Sequence, residues 1–117
     1  MHDPESGVPP VDQPFARAGR IAELPPGTAK MLPVGDYDIA LFNVGGEFFA
    51  IDDVCPHFGG SLSEGTVEGS TVACPQHGWC FDLRDGTMPR GRKSVDTFDV
   101  RIDGEQILVS RTPRPRA

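Results

Sequence analysis

No apolar run in this 117-residue chain approaches the ~20 residues that a membrane-spanning helix requires. Basic residues are scarce too: 11 Lys and Arg stand against 17 Asp and Glu, for a net charge of −6. That balance works against non-specific nucleic-acid binding, which needs a cationic surface. It suits solubility and docking onto basic patches of a partner. Three cysteines, an odd number, offer no disulfide framework. Residues 1–14 have neither a basic n-region nor an apolar h-region, so no secretory signal is expected. These absences lead to the expectation of a cytoplasmic protein whose thiols stay reduced and free to bind metal. A sustained 3.6-residue apolar period is missing as well, so little helix is expected.

What the chain does contain is punctuation. Its 14 Gly and 12 Pro favour short strands joined by turns. Residues 1–14 carry Pro4, Pro9, Pro10 and Pro14 and read as a disordered arm. Residues 111–117, with Pro113, Arg114, Pro115 and Arg116, read as a flexible tail. One domain is expected over 15–110, with roughly 60–70% of its unfolded surface buried. Within it, strands are predicted at 15–21, 30–34, 37–44, 47–51, 70–73, 79–83, 97–102 and 106–110. Gly45-Gly46 marks a hairpin turn, and Asp85-Gly86 and Asp103-Gly104 mark further turns. Strands at this spacing predict an all-β fold, a small antiparallel barrel or sandwich.

Two segments break the strand pattern and hold the soft-ligand chemistry. One reads Cys55-Pro56-His57. The other, after sixteen intervening residues, reads Cys74-Pro75-Gln76-His77. Each pair contains a proline, which fixes its own φ and removes a backbone donor. Gly59, Gly60 and Gly78 follow and let the backbone wrap a compact object, with N–H groups available to an anionic ligand. A single Cys or His is usually structural; two matched pairs in Pro/Gly loops are not. By ligand chemistry alone, two Cys and two His also suit a structural zinc ion. The tight C-x-H pair and the strand content are unlike a zinc finger.

Cys55-Pro56-His57 continues into Phe58-Gly59-Gly60-Ser61-Leu62. Cys74-Pro75-Gln76-His77 continues into Gly78-Trp79-Cys80-Phe81-Asp82. Taken together, these resemble the Rieske iron–sulfur family over roughly residues 15–110. The resemblance implies a Rieske-like fold with a cluster-binding subdomain formed by two loops, and one [2Fe–2S] cluster. Cys55 and Cys74 would bind one iron, and His57 and His77 the other. It also points to Pro89, in a loop with Arg90, Arg92 and Lys93, as a cover near the cluster. High-potential members of the family bridge the two loops by a disulfide, at positions matching Gly60 and Gln76, which cannot form one. They place hydroxyls where this chain has Trp79 and Phe81. Cys80 falls on a predicted strand and is expected to be a free, partly buried thiol. His2, in the arm, is expected to be solvated, as are Asp52, Asp53, Glu64 and Glu68 near the first loop.

No nucleotide fingerprint is present, and beyond the proposed ligands only His2 remains, too few histidines for a mononuclear iron triad. The chain is therefore expected to be an electron carrier, not a catalyst. The resemblance implies a Rieske-type ferredoxin passing electrons from a flavin-containing reductase to a terminal non-haem iron oxygenase. A monomer is the default for such a carrier. A small subunit of assimilatory NAD(P)H nitrite reductase, paired with a large sirohaem subunit, is the alternative. A membrane respiratory subunit is disfavoured by the missing anchor and disulfide cysteines.

Two imidazoles in place of two thiolates remove negative charge and raise the potential, whereas fewer hydroxyl donors to the cluster lower it. Redox titration should therefore place this centre in the lower part of the roughly −150 to +300 mV Rieske span. A strongly positive potential would contradict that.

Overall fold

A computed structural model of the chain describes residues 14–56, 59–76 and 78–115. Ten strands form three antiparallel sheets. They are β1 (Phe15–Arg20), β2 (Ala29–Val34), β3 (Tyr37–Val44), β4 (Glu47–Asp52), β5 (Thr66–Glu68), β6 (Thr71–Ala73), β7 (Cys80–Asp82), β8 (Thr97–Phe98), β9 (Val100–Asp103) and β10 (Gln106–Ser110). The central sheet runs β2-β3-β4-β8, flanked by β1-β10-β9 and by β5-β6-β7. The sheets remain open, so the sandwich half of the expected architecture holds and a closed barrel does not form. Among the described residues helical structure is confined to two 3₁₀ turns, Ile21–Glu23 and Leu62–Glu64.

Strand β3 is the wall between two cores. Its residues 39–43 are all buried, as a continuous apolar run predicts for a strand covered on both faces. Successive side chains point to opposite faces. Ile39 and Leu41 accordingly join a core with Ala18, Leu24, Val34, Ala50, Phe98, Ile107 and Val109. Ala40 and Phe42 join the other, with Ile51, Leu62, Val72, Phe81, Leu83 and Val95, and this second core contains both Cys55 and Cys74. The central sheet thus gives the cysteine loops a packed floor. Strand β2, with Pro33, lies at the sheet's edge, where a residue without N–H costs no ladder bond to a further strand.

The β3–β4 hairpin turns at Gly45-Gly46, as the sequence predicts, with Val44 opposite Glu47. The run expected as one strand over 97–102 is two strands. Thr97–Phe98 pairs with β4, while Val100–Asp103 pairs with β10. The chain changes sheets at Asp99, whose carbonyl accepts the Ser110 N–H at 2.9 Å. Ile102 consequently lies on the outer sheet and is 43% exposed, although its alternation with Phe98 suggested burial.

The first 13 residues and the last two lie outside the described residues, so the arm expected over 1–14 is seen only at Pro14. Residues 111–115 are tied back to the body through Arg111 and Arg114. Arg111 N–H donates to the Pro14 carbonyl at 2.8 Å and Arg114 N–H to that of Thr97 at 2.7 Å. The Arg114 guanidinium donates to Thr97 Oγ1 and to the Arg84 carbonyl.

Because β3 is packed on both faces, Phe42→Ala should cost about 3–5 kcal/mol in urea unfolding of the intact protein. That is a large share of the roughly 5–15 kcal/mol that holds such a domain together. Met31→Ala, on the exposed edge, should stay within about 0.5 kcal/mol of the parent.

Candidate iron–sulfur centre

The two cysteine segments fold as the same loop twice. Cys55 N–H donates to the Gly60 carbonyl at 2.8 Å, and Gly59 N–H donates back to the Cys55 carbonyl at 3.0 Å. Cys74 N–H donates to the Trp79 carbonyl at 2.7 Å, and Gly78 N–H to the Cys74 carbonyl at 2.9 Å. The partners are four and five residues on in both loops. The glycine at the fourth step has φ +71° in one and +74° in the other, a conformation that excludes most side chains. Proline follows the cysteine in each. The histidines break this symmetry: His57 stands two residues after its cysteine and His77 three. Both lie outside the described residues, as does Phe58.

Both cysteines sit at the inner end of their loops. Cys55 is 1% exposed and Cys74 3%. Pro56, Gly59, Pro75, Gln76 and Gly78 are exposed. The loops touch: a Cβ built on Gly60 would lie 2.6 Å from Gln76 Cγ and 3.0 Å from Cys74 Sγ. With these side chains as they stand, glycine at position 60 fits this approach without displacing them. None of the three cysteines is in a disulfide.

Cys80 is exposed, contrary to the expectation of a partly buried thiol, because it occupies the outward position beside fully buried Phe81 on β7. Among the described residues no three Cys, His, Asp or Glu side chains gather as a metal site, so Cys80 does not join Cys55 and Cys74. The residues in place suit a [2Fe–2S] cluster: two inward thiols on glycine-relaxed loops in contact. Phe81 brings no hydroxyl to this core.

One supporting residue escaped sequence reasoning. Asp53, expected to be solvated, is only 6% exposed. Its carboxylate accepts the Ser61 hydroxyl at 2.6 Å and the Ser63 N–H at 2.7 Å. Its carbonyl accepts the Leu62 N–H at 2.7 Å. With the Val54–Ser61 bridge, these contacts clamp the base of the first loop. The signal was the serine pair 61 and 63 eight and ten residues on, which becomes meaningful only once the loop is closed. Its neighbour Asp52 has a carboxyl held above the ordinary value, chiefly by burial, with Asp96, Asp53 and Asp38 adding to the effect and the Val54 N–H opposing it.

These features define a small β-protein carrying a two-loop iron–sulfur site. Comparison with known proteins gives the same result: residues 15–99 match the Rieske [2Fe–2S] domain, and the chain belongs to that family. It is 38% identical over 98 residues to the biphenyl dioxygenase ferredoxin subunit of Pseudomonas sp. (strain KKS102), covering 81% of this chain and 90% of that protein. It is 40% identical over 93 residues to the 3-phenylpropionate/cinnamic acid dioxygenase ferredoxin subunit of Escherichia coli (strain K12), covering 76% and 86%. Its fold matches a chain in a complex of reduced oxygenase and oxidised ferredoxin of carbazole 1,9a-dioxygenase, with TM-score 0.81, 28% identity and coverage of 90% and 100%. It also matches a protein assigned as the small subunit of an NADH-dependent nitrite reductase from Mycobacterium tuberculosis, with TM-score 0.79, 27% identity and coverage of 84% and 95%. The chain thus carries one [2Fe–2S] cluster and is an electron carrier, not a catalytic component. The zinc reading is set aside. Among the described residues no helix is long and apolar enough to cross a membrane.

Removing the Asp53 carboxylate strands the Ser63 N–H and the Ser61 hydroxyl, so Asp53→Ala should cost about 1–3 kcal/mol in chemical unfolding and speed cluster loss. For Asp52 the sign is opposite. The folded protein holds this proton more tightly than the unfolded chain, so stability falls as pH rises from 3.8 through the raised value. Asp52→Asn keeps an acceptor for Val54 and should raise the melting temperature at pH 7. The gain should vanish below pH 3.8, where both states are protonated.

Proposed function

We propose that this chain is the ferredoxin component of a ring-hydroxylating oxygenase system, with Cys55 and Cys74 ligating one iron and His57 and His77 the other. The observation that carries the reading is the pair of matching loops, with buried cysteines at their inner ends and exposed backbone at their tips. When bound, the cluster supplies one-electron chemistry. The chain's own residues do the rest. The backbone bonds to Cys55 and Cys74 fix the direction of the two thiolates, so little rearrangement accompanies a change of charge. Phe42, Phe81 and Leu62 keep water from the sulfur side. In sequence each histidine lies among exposed residues, Pro56 and Gly59 in one loop and Gln76 and Gly78 in the other, so that end is the place for electron exchange.

In this reading residues 15–110 form the Rieske domain and the chain acts as a monomer in the cytoplasm. A flavin-containing reductase is the donor and a terminal oxygenase the acceptor. Docking is brief and small in area, as suits a shuttle between two partners. The named relatives at 38% and 40% identity are dioxygenase ferredoxin subunits, which supports this assignment. The nitrite reductase resemblance, at 27% identity, supports the second reading, in which the chain serves a sirohaem reductase.

Reconstitution tests the proposal. With NADH, a flavin reductase and a terminal oxygenase, hydroxylated product should form only when this chain is added. His57→Ala, His77→Ala, Cys55→Ser and Cys74→Ser should each reduce turnover to background, and Cys80→Ser should leave it within about twofold, as expected of a residue outside the site. Co-purification with a sirohaem protein and NADH-dependent nitrite reduction would favour the second reading instead.

A further inference from the structure

One loop beside the cluster site has an electrostatic character at odds with the rest of the chain. Arg90, Arg92 and Lys93 are three cations within four residues of a molecule whose net charge is −6. All three are exposed. The ion pairs among the described residues, Arg20–Glu105, Arg84–Asp82 and Arg114–Asp99, leave them out. Four other basic residues are engaged: beyond those pairs, Arg101 lies 4.3 Å over the Phe15 ring. A solvated surface charge is commonplace, but three adjacent unpaired cations on a fixed loop create a local field.

The loop is fixed, and its position is defined. Thr87 and Ser94 bridge its two ends, and Val95 N–H donates to the Gly86 carbonyl at 2.9 Å. Met88 packs against the core that contains Cys55 and Cys74, where Trp79 also packs. A Cβ on Gly91 would collide with Met88 Cε at 2.6 Å, so the loop is folded tightly over that side chain. Strand β7 leads away from the second cysteine loop. The Asp82 N–H then donates to the Thr87 carbonyl at 2.7 Å, which starts the loop beside the end of β7. The cations are therefore delivered to the same side as the second loop.

We infer that the 87–94 loop is a cationic rim on the second-loop side of the cluster, and that it fits an electron-transfer partner whose docking surface presents carboxylates there. This rests on the placement of the cluster proposed above. A local patch of one sign on an acidic molecule biases the orientation of a complementary partner, which overall attraction by net charge cannot achieve.

Small redox ions test the rim. The dithionite-reduced protein is mixed at low salt with ferricyanide, an anion, or with tris(phenanthroline)cobalt(III), a cation. Each reduced centre loses one electron, and each oxidant gains one. The variant Arg90→Gln/Arg92→Gln/Lys93→Gln is compared with Arg17→Gln/Arg20→Gln/Arg101→Gln, which removes the same charge from exposed positions on β1 and β9. The loop variant should lose roughly tenfold in ferricyanide rate at low salt and gain with the cobalt complex, and the distant variant should change far less. Trp79, the single tryptophan, gives a readout that needs no electron transfer. Its quenching by iodide should weaken, and by caesium strengthen, only in the loop variant. Equal responses of the two variants would overturn the rim while leaving the carrier assignment intact. A purified protein with no reducible cluster would overturn both.

Discussion

Two cysteine thiols are held at the inner ends of loops that cannot relax independently. Each cysteine donates its own N–H across its loop and accepts another at its carbonyl, and the glycine between adopts a left-handed conformation. The loops then meet where Gly60 passes beneath Gln76 and against Cys74. A side chain at position 60 would displace that of Gln76 and crowd Cys74. Cluster binding in a domain this small needs such prior organisation. Otherwise the entropy of ordering ten loop residues would be charged against the metal–ligand bonds.

The rest of the fold serves that arrangement. A strand buried on both faces separates a structural core from the core that receives the cysteines. The loops thus rest on Phe42, Leu62 and Phe81 and make no contact demand on the outer sheet. Asp53 adds a polar clamp below the first loop, and the second loop is continuous with β7. An electron carrier benefits from this division. The packed scaffold is separate from the loops that hold the cysteines.

Much of this was legible in the sequence, for definite reasons. Residues 39–42 announce β3 by an unbroken apolar run, and Gly45-Gly46 marks the hairpin that follows. The Cys-Pro-His and Cys-Pro-Gln-His segments identify their family because residue type, spacing and glycine context are fixed together. Other features were hidden because they depend on tertiary closure. The alternation of Phe98, Val100 and Ile102 reads as one strand, and nothing local marks Asp99 as the point where the chain changes sheets. Thr66–Glu68, wholly exposed, lacks the apolar signal of a strand and exists by pairing with β6. Asp53 looked like its acidic neighbours because its serine partners come within reach only after the first loop closes. The oxygenase substrate leaves no trace in such a chain: relatives of similar identity serve biphenyl and phenylpropionate dioxygenases.

The central claim is that imidazoles from both loops share one iron while the buried sulfurs share the other. Pulsed electron paramagnetic resonance of the reduced protein reads this directly. Two strongly coupled nitrogens should be seen, and both should change when histidine is labelled with heavy nitrogen. A spectrum with only weak backbone nitrogen couplings would mean that His57 and His77 are not ligands and would contradict the account.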